Sequence, residues 1–588
     1  MSMIAALRIL FSRLTPERRR ALLAVLGLML AGALAEVITI GALIPFLATV
    51  ADPQGARAVV FLAPILDLLG LQGPVATVYV LAGLFAMAAL AAGGLRLLLL
   101  WTSTRFVNNA AYDLAVAVYA NELHQPYSHH ARSNSSEIIA AIEKVNITRG
   151  EVLTPLMQAM IATVISGFLI VALIFVEPLV ALVAGVGFFA IYMAAGSVTR
   201  PRLRRNSEVI ARAQGKRIKA LQEGVGGIRD VLLNQSQSVF LETFEKAEFG
   251  YRNAKTKNTF LSTAPRYVVE TTSLILIALV VIVVTERAGG LSTAVPVLGV
   301  FALGAKKLMP LIQQVYNGWA KCMGGRQVLF DLAALLSRPA PEIPAVKIAL
   351  PFSTSIVLDK VGFSYTEDRG PAVSAVSVEI PKGARVGLAG KTGSGKSTLM
   401  DLILGLLEPS EGEIRIDGVT LTAANRPAWQ KNIAHVPQFI YLSDASIAEN
   451  IAFGIRRRDI DMAQVRRAAE QAELAEVIAA LPEGYETHVG ERGIQLSGGQ
   501  RQRIGIARAL YKQANVLVFD EATSALDTET ETAVMEAIDR LDRSLTILII
   551  AHRLSTLEGC DFVLQLEAGR LAAIEGNPGL PHGTRATG

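Results

Sequence analysis

Only two cysteines, Cys322 and Cys560, occur in 588 residues. No disulfide scaffold or cysteine-rich zinc site can be built from them, and a reducing compartment suits the soluble parts of the chain. Charge is also scarce: 18% of residues are Asp, Glu, Lys or Arg, against 52% hydrophobic, with a mean hydropathy of +0.41. That balance excludes an ordinary soluble protein of this length and puts part of the chain in lipid. Aromatics make up 6% and the formal net charge is +5. The basic residues gather beside apolar runs rather than in aromatic-interleaved stripes, which argues against a nucleic-acid partner and fits the positive-inside pattern.

Long apolar runs are what the chain does have. A span needs about 20 such residues, and Ala21–Phe46, Val75–Trp101, Pro155–Val176, Leu179–Val198 and Val268–Thr285 qualify, with Leu291–Ile312 interrupted by Lys306 and Lys307. Six spans are expected. Basic residues before the first span and in RPRLRRN (200–206) and GKRIK (215–219) place those segments in the cytoplasm, and an even count then puts both termini there. The first apolar stretch is too long for a cleaved signal peptide. Two polar, helix-compatible excursions, 102–154 and 199–264, are too long to be turns, and the patterning of EIIAAIEKV (137–145) suggests that the spanning helices continue into the cytoplasm. Separate small cytoplasmic helices are the alternative reading.

After Leu336 the character changes to a proline-rich linker and then to alternating strands and helices. The expected domains are a membrane domain over 1–336, a linker over 337–351, a soluble α/β domain over 352–575 and a tail over 576–588. GKTGSGKS (390–397) follows the strand-like ARVGLA and opens the apolar helix TLMDLILGLL. This is the context of a phosphate-binding loop. The glycines at 390, 393 and 395, with Ser394, let backbone N–H groups approach phosphates; Lys396 supplies charge, Ser397 can ligate Mg²⁺, and Thr398 begins the helix. The buried-strand pattern ANVLVFDE (514–521) ends in two carboxylates, Asp520 for the Mg²⁺ shell and Glu521 to polarise an attacking water. ATP and Mg²⁺ are the cofactors implied.

LSGGQ (496–500) is similar to the signature of ATP-binding cassette transporters, and with the preceding motifs the soluble domain resembles a complete cassette. The resemblance implies an α-helical membrane domain of exporter type with six transmembrane helices, fused to an α/β P-loop nucleotide-binding domain. It implies further that Tyr365 stacks on adenine, that Gln438 senses Mg²⁺ beside the membrane part, that Asp527 in SALD communicates across a dimer, and that His552 contacts the γ-phosphate. Ser497, Gly498, Gly499 and Gln500 would offer backbone donors and a helix N-terminus to the γ-phosphate of a partner's nucleotide. One cassette per chain implies a homodimer, with a heterodimer as the alternative. Segments 126–132 and 233–239, the tips of the two excursions, are implied as coupling helices.

Arg96 sits in the otherwise apolar AAGGLRLLLLW (91–101). From the outer ends of their spans, Arg96, Arg266 and Lys307 lie about 31, 29 and 24 Å inward, all in the cytoplasmic half. Two readings are open: snorkelling anchors, or cations lining a cavity that meets an anionic headgroup. Glu270, four residues after Arg266, offers it a local partner, and Glu36 in span one is a charge available to Lys306 or Lys307. LRxLL, APRYVVE (264–270) and KKLMP (306–310), with FIYLSDASIAENIAFG in the cassette, resemble the lipid-linked oligosaccharide flippases of bacterial protein N-glycosylation. That likeness implies ATP-driven movement of a polyprenyl-pyrophosphate-linked sugar across the bacterial inner membrane, with Arg96, Arg266 and Lys307 as substrate contacts. It also implies an interfacial helix over 59–71, for which plain packing is the alternative. A multidrug, peptide or lipid A exporter is the first competing reading, and an ATP-gated channel or regulator the second.

Overall fold

The computed structural model describes residues 1–51, 74–132, 135–176, 178–287, 291–339, 348–365, 370–520, 532, 536, 542–551 and 557–576. Two compact units emerge: 1–125 with 132–340, and 126–131 with 341–588. The division at 340/341 falls inside the expected linker. The expected interfacial helix at 59–71 lies outside the described residues.

The first unit is helical throughout. A short α1 (Met3–Ser12) precedes α2 (Pro16–Ala51) and α3 (Pro74–Leu123). After α4 (Tyr127–Arg132), whose residues up to Ala131 fall in the second unit, come α5 (Ser135–Thr148), a π-turn over Arg149–Leu153 and α6 (Thr154–Val176). The remainder is α7 (Pro178–Gly226), α8 (Ile228–Leu233), α9 (Gln237–Arg287), α10 (Leu291–Gly324) and α11 (Arg326–Ser337). Six of these, α2, α3, α6, α7, α9 and α10, carry the six expected apolar runs. Among the described residues, Pro16–Leu43, Val78–Leu123 and Glu137–Phe175 are long and apolar enough to cross a membrane. Proline opens α2, α3 and α7 at the first helical position, where its missing N–H has no intrahelical partner to lose.

Helices α3, α7 and α9 run for 50, 49 and 51 residues, so the apolar spans do continue through the polar excursions as single rods. Helical i→i−4 bonding satisfies the backbone both in lipid and in water, and the rods run on through Pro201 in α7 and Pro265 in α9, each of which forgoes one such bond. The tip of the second excursion differs from expectation. The short helix is Ile228–Leu233, not 233–239, which instead forms the reversal into α9. Gly226 and Gly227 end α7, Asn234 turns its side-chain amide back onto the Asp230 carbonyl at 2.9 Å, and Gln235 takes the left-handed φ of 48° that completes the turn. In the first excursion the short helix is Tyr127–Arg132, within the expected 126–132.

Helix pairs α2/α3, α7/α9 and α6/α10 form the main packing of this unit. Gly318 on α10 sits so close to α6 that a Cβ there would lie 2.4 Å from the Ala159 Cβ and 2.6 Å from the Pro155 carbonyl oxygen.

The second unit holds two sheets. One runs β2–β1–β4–β5, with β1 (Ser355–Phe363), β2 (Val373–Pro381), β4 (Glu411–Ile416) and β5 (Val419–Thr420) antiparallel. The other has the order β10–β9–β3–β8–β7–β6, and its strands β9, β3, β8, β7 and β6 are parallel. They are β3 (Arg385–Ala389), β6 (Ile433–Val436), β7 (Val516–Asp520), β8 (Thr546–Ile550), β9 (Phe562–Glu567) and the antiparallel edge β10 (Arg570–Gly576). Fully buried Val386, Leu388, Val516, Val518 and Leu548 mark this as a sheet covered on both faces, as parallel sheets require. Its parallel strands deliver the phosphate loop, Asp520 and the Gln438 loop to one edge, the carboxyl ends where α/β sheets bind ligands.

Candidate functional sites: a nucleotide cassette and a charged membrane cavity

The phosphate loop leaves β3 and opens α12 (Lys396–Ile403). Gly390 (φ 145°), Gly393 (82°) and Gly395 (99°) all occupy the left-handed region. A Cβ at Gly390 would come within 2.4 Å of the Leu566 carbonyl oxygen, and one at Gly395 within 2.5 Å of that of Ala372, so neither position admits a side chain. Around Gly393 a Cβ would meet nothing within 4 Å, so the loop has open space on that side. Lys396 is 6% exposed, and its ammonium donates to the carbonyls of Gly390 and Lys391 at 2.7 and 3.1 Å, which holds it over the loop. Buried Ser394 Oγ has no hydrogen-bond partner. A glycine-rich loop at a helix start, a buried cation and an orphaned hydroxyl fit a nucleotide phosphate chain.

Asp520 ends β7 beside this loop. Asp401, five residues into α12, is pushed up to about 6, first by burial and then by the charge of Asp520. Two neighbouring carboxyls beside the loop are a setting for a divalent cation, with the Ser397 hydroxyl at the helix start. Tyr365, just past β1, packs edge-on against Phe363 with ring centres 5.0 Å apart, and its hydroxyl lies 3.3 Å from Thr398 Oγ1. Tyr127 of α4 belongs to this unit; its phenol is pushed up by burial and then by Asp401, Tyr365 and Asp520.

LSGGQ starts α13 (Gly498–Tyr511). Ser497 is its N-cap, accepting from the Gln500 N–H at 3.2 Å, while Gln500 Oε1 accepts from the Ser497 N–H at 2.9 Å. This reciprocal capping box explains the spacing of Ser and Gln, and leaves Gly498 and Gly499 as side-chain-free amides in the first turn. Gln438 is exposed in the loop after β6. Glu521, Asp527 and His552 lie outside the described residues.

A second site lies in the helical unit. Glu36 on α2 is 1% exposed, among the apolar side chains of Ala33, Ile40, Ile165 and Leu169. It accepts Arg96 of α3 on one oxygen and Lys307 of α10 on the other, the latter at 2.8 Å. A carboxylate this buried costs several kcal/mol unless paired. Here two cations from two other helices pair it and leave a local excess of one positive charge. The sequence offered Lys306 or Lys307 as the partner of Glu36; the structure selects Lys307 and adds Arg96, because the spans' mutual rotation is not encoded in any one of them.

Arg96, Lys306 and Lys307 line a cavity of about 660 Å³ between α3, α6 and α10. Its walls are chiefly apolar, with polar groups from Asn108, Arg149, Gln158 and Gln314. The side chain of Arg96 remains 48% exposed although it is ion-paired. Arg266 is not on this wall: it is 61% exposed and pairs with Glu270 at 3.9 Å on its own helix. Arg149 and the two glutamines escaped sequence reading, since they fall outside the expected span six or at the edge of span three. Both cysteines are buried, and neither is in a disulfide.

Comparison with known proteins bears on both units. The family model for the ABC transporter transmembrane region matches residues 38–297, and that for the ABC transporter cassette matches 373–524. An ATP-dependent lipid A-core flippase of Cupriavidus metallidurans is 31% identical over 474 residues, 79% of this chain and 78% of that protein. One from Burkholderia thailandensis is 32% identical over 479 residues, with the same coverage. Among solved structures, a bacterial Atm1-family ABC exporter with ATP bound is similar with a TM-score of 0.76 and 25% identity, covering 95% of each chain. With a transmembrane region and one cassette fused in a single chain, the protein belongs to the ABC transporter family as an exporter-type half-transporter that couples ATP hydrolysis to transport.

Proposed function

We propose that two copies of this chain form an ATP-driven flippase that moves a phosphate-bearing glycolipid from the inner to the outer leaflet of the bacterial inner membrane, with cassettes and termini in the cytoplasm. The observation that carries the reading is the cationic, largely apolar cavity whose Arg96 and Lys307 are held by the single buried carboxylate of Glu36. A guanidinium and two ammoniums suit phosphate oxygens, and apolar walls suit acyl or prenyl chains. Uncharged drugs need no such set. A lipid A-type glycolipid is the first reading, supported by relatives named as lipid A-core flippases. A polyprenyl-pyrophosphate oligosaccharide is the second, favoured by APRYVVE and KKLMP in this sequence.

Mg²⁺ and ATP, when bound, supply the phosphoryl-transfer chemistry that drives the cycle. The phosphate loop and Lys396 would hold the phosphates, Ser397 and Asp520 the metal, with Gln438 beside them and Tyr365 against the base. Glu521 would orient the water and His552 the terminal phosphate, while Ser497 through Gln500 and Asp527 of the partner copy would complete each site. Closing two cassettes would shift the tips at α4 and α8 and open the cavity outward, with Arg266 a further contact along the route. Reconstituted protein should hydrolyse ATP faster with lipid A or with polyprenyl-pyrophosphate oligosaccharide than with phosphatidylcholine, and Arg96→Ala should abolish that difference. Equal stimulation by neutral drugs would reject an anionic-lipid substrate, and the better of the two glycolipids identifies the class.

A further inference from the structure

The N-terminal helix α1 takes no part in either site above, yet it is unusually charged. Residues 1–20 carry five arginines, at 8, 13, 18, 19 and 20, against one acid, Glu17. Ala6, Leu7, Leu10, Phe11 and Leu14 recur at helical spacing and make one apolar stripe. Ser2 caps the start, its hydroxyl accepting the Ala5 N–H at 3.1 Å. The stripe packs Ala6, Leu10 and Leu14 into a core with Leu114 of α3 and Leu332 and Leu336 of α11, the last helix before the soluble domain. Two arginines are used in this packing: Arg13 Nη2 donates to the Leu336 carbonyl at 2.6 Å, and Arg18 pairs with Asp113 of α3 at 3.8 Å. Arg19 Nη2 donates to the Ser12 carbonyl at 2.7 Å and its guanidinium lies 5.6 Å from the centre of the Phe11 ring. Arg8, three residues before Phe11 and on the same flank of the helix, is exposed. Among the described residues neither Arg8 nor Arg19 has a carboxylate partner, so two uncompensated cations flank Phe11.

Beside Phe11 the packing is incomplete. Between α1, α2, α3 and α6 lies a cavity of about 140 Å³ lined wholly by apolar side chains, among them Leu7, Phe11, Leu22, Ala110 and Met160. Phe11 and Met160 are 40% and 37% exposed, so the slot opens on the protein surface. Its height follows from the spans. Leu22 lies at the start of the first apolar run, Met160 near the start of the third and Ala110 just past the end of the second, which are the ends that the basic residues place at the cytoplasmic face. An apolar slot at the inner leaflet, left empty, loses dispersion contacts along its whole lining. Val107 and Met157 line both this slot and the cationic cavity, so the two spaces stand back to back with one wall between them.

We propose that the slot holds the end of one acyl chain of an anionic phospholipid of the cytoplasmic leaflet, with its phosphate at Arg8 and Arg19, and that this lipid regulates transport by backing the wall at Val107 and Met157. Guanidiniums give a phosphodiester charge-assisted donors, and a zwitterionic headgroup brings a cation of its own to the same place and gains less. The chain end replaces empty space by apolar contact. The lipid is not cargo: it stays on the outer side of the wall, and the site is the same whatever the cavity carries.

The test uses the full-length protein in nanodiscs of phosphatidylcholine with a rising fraction of phosphatidylglycerol, reading the thermal midpoint and ATP hydrolysis in the same discs. In wild type both should rise over one range of phosphatidylglycerol, since a ligand of the folded state stabilises it. Arg19→Gln should need about fivefold more phosphatidylglycerol for half the rise, the worth of one cation at an anionic surface. Arg20→Gln removes the same charge from the neighbouring residue, away from Phe11, and should leave the titration nearly unmoved. Ala110→Leu, which pushes three carbons into the slot, should remove the dependence on phosphatidylglycerol while the protein stays folded; if that variant fails to fold, the two arginine variants decide. No rise in wild type, equal shifts in Arg19→Gln and Arg20→Gln, or a full rise in folded Ala110→Leu overturns the site. A midpoint that rises while hydrolysis does not change overturns the regulatory role.

Discussion

A buried carboxylate with two cationic partners is worth most when one partner is taken away. Truncating both Arg96 and Lys307 would leave Glu36 charged and alone in an apolar setting, costing roughly 3 kcal/mol or more, whereas adding Glu36→Gln to that pair should return most of the loss. Thermal midpoints in detergent of the double and triple variants check this; equal midpoints would mean that Glu36 finds other compensation. Asp401 makes a second prediction. Its carboxyl, pushed up to about 6 by burial and then by Asp520, binds protons more readily in the folded cassette than in the unfolded chain. It therefore opposes folding as pH rises from the ordinary carboxylate range through about 6, with the full cost above that. Asp401→Asn should raise the midpoint of nucleotide-free protein at about pH 8, and the gain should fade below about pH 6. A gain independent of pH would contradict it. Residue by residue, the phosphate loop was legible because its chemistry needs those glycines in that order. The Arg266–Glu270 pair was legible because both lie on one helix. The shared partner of Arg96 and Lys307 was not, because it depends on how three helices are turned.

Among the elements, the long helices followed from unbroken helix-forming sequence between polar tips, and the strands β3 and β7 from short apolar runs ending in a glycine or a carboxylate. Two features were not readable. The second tip helix sits at Ile228–Leu233 because a glycine pair ends α7 and Asn234 caps α8, and hydropathy does not register either. The π-turn over Arg149–Leu153 is a one-residue widening of the helix that a spacing pattern passes over. The packing of α6 on α10 supplies a sharp test. Gly318→Ala would place a methyl 2.4 Å from the Ala159 Cβ and 2.6 Å from the Pro155 carbonyl oxygen, so the helices must separate at a cost of about 1–3 kcal/mol. A lowered midpoint with lowered lipid-stimulated ATPase is expected; an unchanged protein would show that this contact yields freely. At the other site, Ser497→Ala removes the hydroxyl half of the capping box on α13 and keeps the N–H that Gln500 accepts, which should destabilise the cassette by about 1 kcal/mol and slow ATP hydrolysis.

For the molecule as a transporter, the division of labour is clear: a cassette built for nucleotide phosphates and a helical unit whose cavity carries cations. Composition alone separated these parts, since charge and apolar runs are segregated along the chain. The cargo was not legible, because a substrate is selected by where a few side chains converge and not by their number. The central claim is that ATP hydrolysis moves an anionic glycolipid through the Glu36-held cations. Its most direct test is translocation of a fluorescent phosphorylated glycolipid in proteoliposomes, comparing wild type with Glu521→Gln and Arg96→Ala. ATP-dependent movement in wild type, lost in Glu521→Gln and reduced at least tenfold in Arg96→Ala, is the predicted result. Movement that persists undiminished in Arg96→Ala, or wild-type protein that hydrolyses ATP without moving the lipid, would contradict it.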